Sequence, residues 1–240
     1  MDPATRVRSP ASHRALFSGI VLLGLWAAAF NLSGLPFFPL IAVGGSLTGL
    51  AGLWVRRGTL ASLDRPDADH PAVVTAARTL PRWRLTPRQA LLAVAVAAAH
   101  LAAAHVLFDL GAHLLPRLAP TAEQVYGRTG EVSLWWALLV GGAVTAPLEE
   151  VYWRGAIHPL LAGLLHVRAP RLAARPGATV LAGAGVYALF HVSTGHLALV
   201  AAALLGGLVW GWLQERTGTM GAPMLAHGLW ACGMLALPPV

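Results

Sequence analysis

Two adjacent carboxylates and a guanidinium lie inside a run that is otherwise apolar. Glu149, Glu150 and Arg154 fall in Ala146–Leu161, which reads APLEEVYWRGAIHPLL. A charged side chain at the centre of a bilayer costs at least ~2.5–3.5 kcal/mol even on the lenient insertion scale, so acids in such a run point to a functional site. On a helix, Glu150 and Arg154 are i,i+4 neighbours and can pair across one turn. Glu149 is rotated about 100° from Glu150, and that pairing would leave it free. The spacing thus suggests a structural carboxylate beside a working one.

Two histidines in other apolar runs could join them. His191 has Tyr187 one turn earlier on the same helical face, and His227 follows Gly221–Pro223. A lone histidine on an apolar helix is more often a packed residue with a satisfied ring than a catalyst. Beside an acidic pair the balance reverses, because buried polar groups in lipid need partners. Glu, His and His fit two chemistries. One is a two-histidine, one-carboxylate metal site. The other is a metal-free hydrolase in which a glutamate activates water and histidines stabilise the developing oxyanion. No H-E-x-x-H helix is present, which favours the second. Ligands on separate helices could still build the first.

The elements that must position these groups follow from composition. Of 240 residues, 56% are hydrophobic and 11% charged, and the mean hydropathy is +0.63. This is the composition of an all-α integral membrane protein. The net charge of +7 comes with 17 basic residues, every one an arginine. Most sit in short loops, a pattern of membrane topology and anionic lipid contact, with no nucleic-acid partner implied. The apolar runs are Ala15–Leu32, Leu35–Val55, Gln89–Leu115, Val132–Leu165, Ala178–Val192, Leu197–Leu213 and Met220–Leu237. The first could be a signal peptide, but its length and the span that follows at once favour a retained anchor. Arg56 to Arg88 and Arg117 to Glu131 read as irregular polar loops. Pro147 and Pro159 offer kink points in the long fourth run. Counting arginines places 14 inside and two outside, giving seven spans with the N-terminus in and the C-terminus out. Gly207 and Gly211 suit close helix packing.

The string E-E-V-Y-W-R-G, the tyrosine four residues before His191, and G-W-L-Q-E-R-T-G-T-M-G-A-P-M-L-A-H ending at His227 resemble the CPBP family of intramembrane glutamic proteases. That family includes the CAAX prenyl endopeptidases and bacterial relatives in peptide maturation, immunity and sorting. The resemblance covers roughly Val132 to Met234 and divides the chain into N-terminal spans with a basic loop (1–131) and a protease core (132–240). It implies that Glu149 is the catalytic base and that Glu150 and Arg154 hold the site, with Tyr187 in support. It further implies that His191 positions the water and His227 contributes to the oxyanion site. No metal or other cofactor is implied. Two positions depart from the family pattern. Tyr187 stands where phenylalanine is usual, and Ala231 where a polar residue, commonly asparagine, is expected. Trp230 offers an indole N–H nearby, although a membrane tryptophan is more often a packing residue.

The expected activity is hydrolysis of a peptide bond in a membrane-associated peptide or protein. A weakened scaffold of the same fold is the alternative that Ala231 raises. A proton-relay transporter is a third reading, disfavoured by the lack of inverted-repeat symmetry. The arginine and alanine bias fits a GC-rich genome and a bacterial cell membrane. His105, Asp109 and His113 form a stripe better suited to an interfacial polar tip than to a metal site, with His100 pointing elsewhere. Cys232 reads as a packing residue.

Overall fold

Hydrocarbon offers no water to satisfy backbone N–H and C=O groups, so a chain of apolar runs this long must fold them as helices. The structure is a computed structural model and describes residues 10–32, 34–61 and 71–239. Its helices are α1 (Pro10–Asn31), α2 (Phe37–Ala61), α3 (Pro71–Arg78), α4 (Pro87–Leu114), α5 (Leu118–Gly127), α6 (Leu134–Arg168), α7 (Ala178–His191), α8 (Leu197–Thr217) and α9 (Gly221–Ala236). Among the described residues the one β contact is an isolated bridge between Arg82 and Thr219. The fold is all-α and membrane-embedded.

By length and composition, four helices can cross a membrane: Ala11–Asn31, Phe37–Ala61, Pro87–Leu114 and Leu197–Thr217. A fifth span results if Leu118–Glu131 and Leu134–Arg168, bent by 114°, count as one. Seven full spans and the N-in, C-out orientation go beyond what these lengths establish.

Both expected loops contain helix. α2 continues through Arg56 and Arg57 to Ala61, and residues 71–78 form α3. In this extension Arg56 has acceptors to reach, the carbonyls of Pro81 (2.9 Å) and Gly155 (3.4 Å). α3 lies on α6 so closely that a Cβ at Gly163 would collide with the Ala72 carbonyl. Asp64, Arg65, Asp67 and Asp69 of that loop, and Arg6 and Arg8 before α1, lie outside the described residues. Arg117 to Glu131 folds as α5 and a 3-10 turn at Arg128–Glu131. Leu118 and Ala122, one turn apart, are buried there, so a helical stripe was present beneath the polar composition.

Small residues let the helices meet at backbone distance. Gly45, Gly49 and Gly52 share one face of α2, and that face lies on α6. A Cβ at Gly52 would come within 2.6 Å of the Val151 carbonyl oxygen, and one at Gly49 within 2.8 Å of Leu148. Gly207 and Gly211 do the same for α8 against α7. Their added Cβ atoms would stand 2.8 Å from Ala184 Cα and 3.2 Å from Val180 Cγ1. The buried aromatics Trp26, Phe37, Tyr152, Trp153, Tyr187, Trp210 and Trp230 form one core around the middle of α6.

Candidate active site

α6 starts at Ser133, whose side chain accepts from the Trp136 N–H. It is not regular throughout. π-helical turns occupy Leu138–Thr145 and Trp153–Ile157, and each ends two residues before a proline, Pro147 or Pro159. A proline ring clashes with the carbonyl four residues back and donates nothing to it. For Pro159 that carbonyl is Gly155, and Arg56 of α2 donates to it instead. The kinks expected at the prolines thus take the form of widened turns. Between them, Ala146–Tyr152 is α-helical and carries both glutamates. Because α6 runs on to Arg168, the acids lie near its middle, 15 residues from Leu134 and 18 from Arg168 when counted to Glu149 and from Glu150.

The two carboxylates diverge as their spacing requires. Glu150 is fully buried, and its Oε1 accepts from Arg154 Nη1 at 3.1 Å and from His227 Nδ1 at 2.8 Å. Arg154 also donates to the Gly207 carbonyl at 3.3 Å. Its guanidinium carbon lies 4.9 Å from the Tyr187 ring centre and 5.4 Å from that of Trp210. The close approach at Gly207 makes that carbonyl reachable, so the small-residue packing of α8 serves the ion pair.

Glu149 takes no part in the pair. Its Oε2 accepts the Tyr187 hydroxyl at 2.5 Å. Tyr187 is positioned by aromatic contacts with Trp153, Trp210 and His191. His191 donates Nδ1–H to the Tyr187 carbonyl at 2.9 Å, and His227 stacks on Trp210 with centroids 3.6 Å apart. Three helices thereby bring Glu149, His191 and His227 to one cavity of about 150 Å³, also lined by Tyr187, Trp210 and Trp230. A second cavity of about 270 Å³ shares Glu149, His227 and Trp230 and extends among apolar residues such as Phe30, Phe37 and Ile41. Ala231 and His100 line this larger space and not the smaller one. Trp230 Nε1 is buried without a hydrogen-bond partner among the described residues.

The geometry permits a precise account of what each nitrogen can do. A carboxylate or carbonyl oxygen only accepts, so the Nδ1 of His191 and of His227 must carry the proton in these bonds. In their neutral forms both rings therefore present an accepting Nε2. The arrangement suits holding a water beside the free carboxylate of Glu149.

Among the described residues no group of three or more His, Cys, Asp or Glu side chains is arranged to hold an ion. The α4 stripe is bonded to backbone. His105 faces the Leu101 and Leu237 carbonyls at 2.9 and 2.8 Å, and His113 faces Asp109 O at 2.6 Å. Cys232 packs against Gly142, as expected of a small residue at a close contact.

Residues 131–233 match the family model described as type II CAAX prenyl endopeptidase Rce1-like. No curated protein and no solved structure matches the chain. The matched residues contain both glutamates, Arg154, Tyr187, His191, His227 and Ala231, and span α6 to α9.

Proposed function

We propose, on the premise that residues 131–233 belong to this family of membrane endopeptidases, that the chain hydrolyses a peptide bond with water activated by Glu149. The observation that carries this reading is the division of labour between neighbouring acids. Glu150 is engaged by Arg154 and His227, while Glu149 faces the cavity with Tyr187 as its donor. The water oxygen adds to the carbonyl carbon while its proton passes to Glu149, and the carbonyl oxygen takes the negative charge. Collapse then breaks the C–N bond and returns the proton to the leaving nitrogen. His191, its Nδ1 anchored on Tyr187, offers Nε2 to a hydrogen of that water. His227 donates to the oxyanion when its ring is doubly protonated. In that state the charges of Glu149, Glu150, Arg154 and His227 sum to zero, which suits a site of low dielectric.

The substrate is a membrane-associated peptide or protein whose scissile bond reaches the middle of α6. The larger apolar cavity gives its hydrophobic portion a place beside the reacting atoms. The test is cleavage of a quenched fluorescent peptide ending in a farnesylated CAAX sequence, with protein in liposomes. Wild type should cleave it, and Glu149→Gln should lower the rate by ~10²–10⁴, the usual worth of a positioned general base. Undiminished cleavage by Glu149→Gln would refute the assignment.

A further inference from the structure

His100 is a buried histidine that no role above uses. It lies on α4, outside residues 131–233, and its side chain is more than nine-tenths buried. The ring stacks on Trp230 with centroids 5.1 Å apart, and Trp210 lies 5.8 Å away, the same tryptophan on which His227 stacks. It lines the larger cavity together with Glu149, His227 and Ala231. Its Nδ1 is buried without a partner, and no hydrogen bond among the described residues engages either ring nitrogen.

An unsatisfied polar group in an apolar interior is costly, and phenylalanine would fill this place without that cost. The absence of a partner contrasts with the other two histidines of the site. His191 and His227 each have Nδ1–H engaged, so in neutral form they turn an acceptor to the cavity. His100 has no such constraint; its Nδ1 is closed off, and with the proton on Nε2 the neutral ring can present an N–H to whatever enters.

We propose that His100 is a third histidine of the active site, donating a ring N–H to the substrate carbonyl oxygen as negative charge develops there. It would supply the donor that alanine at 231 lacks. Both positions line the same cavity, one from α4 and one from α9, and α4 packs directly on α9 where Gly233 meets Leu101. Donation leaves His100 neutral and transfers no proton. The proton from water still goes to Glu149 and then to the leaving nitrogen.

The inference rests on the hydrolase reading, and one set of variants tells their failures apart. The farnesylated CAAX peptide in liposomes is the probe, with wild type, Glu149→Gln, His100→Phe, Ala231→Asn and the double variant His100→Phe with Ala231→Asn. Losing one oxyanion donor costs ~10²–10³ in kcat. His100→Phe should therefore lower kcat by about 10²-fold, leave KM within a few-fold, and keep or raise the melting temperature. Ala231→Asn should restore at least tenfold of that loss in the double variant, because an amide N–H re-enters the same cavity. If wild type cleaves, Glu149→Gln does not and His100→Phe is undiminished, this inference falls and the hydrolase reading stands. A loss in His100→Phe that Ala231→Asn leaves unrepaired assigns His100 to packing and also overturns it. If neither wild type nor Ala231→Asn cleaves, both readings fall together.

Discussion

Replacing each glutamate by glutamine in turn separates the counter-charge from the proposed base. Glu150 is fully buried and holds Arg154, itself 3% exposed, at 3.1 Å. Glu150→Gln keeps the shape and an accepting oxygen but leaves the guanidinium without an opposite charge. Removing one partner of a buried ion pair costs ~3–5 kcal/mol. Glu149→Gln is milder. The Tyr187 hydroxyl still finds an oxygen, and the change weakens a charged hydrogen bond of ~1.5–3 kcal/mol to a neutral one of ~0.5–1.5, a difference of about 1 kcal/mol. At ~2–4 °C per kcal/mol for a chain of this size, Glu150→Gln should lower the apparent melting temperature in detergent by roughly 10 °C, with reduced yield. Glu149→Gln should lower it by a few degrees at most while lowering cleavage by ~10²–10⁴. Thermal unfolding followed by intrinsic tryptophan fluorescence, with cleavage measured on the same preparations, reads both effects. Equal destabilisation by the two variants would refute the division of roles, as would a Glu149→Gln protein that cleaves normally.

Gly52→Ala should destabilise by ~1–3 kcal/mol, since its Cβ would stand 2.6 Å from a backbone oxygen of α6 and overpacking carries that cost. Gly185→Ala on α7 meets nothing within 4 Å and should be neutral or stabilising by up to ~1 kcal/mol through helix propensity; melting of both variants in one detergent is the comparison. Tyr187→Phe removes the hydroxyl that Glu149 accepts but keeps the ring against Trp153 and His191, so it should fold normally and change kcat more than KM in steady-state cleavage. Cleavage should persist after dialysis against a strong chelator and should not rise on adding zinc; activity lost to chelator and recovered with zinc would return the metal reading to favour.

The local part of this site was legible in the sequence because helix geometry makes it so. Glu150 and Arg154 pair at i,i+4, and His191 lies four residues after Tyr187; each spacing is about one helical turn and carries no information about other helices. What local spacing could not specify was the partner of His227, whose Nδ1 meets Glu150 across 77 residues. His100 has no polar or aromatic residue one turn away on α4; its neighbours are Trp210 and Trp230 from α8 and α9, which local spacing does not reveal. The run Val132–Leu165 and the helix α6 (Leu134–Arg168) agree to within three residues at each end; the depth of the acids within it is another matter. Val132–Leu165 is too long for a simple span, and nothing in its composition marks how deep the acids sit within it. Polar composition outweighs periodicity over Arg56–Arg88 and Arg117–Glu131, so the helical spacing of Leu118 and Ala122 and the anchoring of Arg56 on two carbonyls emerge only in the structure.

With Glu149 as the proposed base, adjacency of the two acids becomes a physical requirement. A lone carboxylate near Arg154 would be drawn into the ion pair, and a glutamate held by a guanidinium is a poor base. Placing a second carboxylate next in sequence turns it by about 100°, far enough to face α7 and the cavity while its neighbour faces α8 and α9. That angle is useful only if the helix keeps regular α geometry through the pair, and here it does so between two irregular segments. The π turns end before Pro147 and Pro159 and absorb the backbone conflict that each proline creates, leaving Ala146–Tyr152 undistorted. The carbonyl that Pro159 leaves without a donor is taken up by Arg56 of α2, and α2 approaches closely because Gly45, Gly49 and Gly52 present no side chain. The orientation of Glu149 therefore depends on N-terminal residues far from the family motifs. A substitution such as Gly52→Ala should consequently affect cleavage through the angle of α6 as well as through stability.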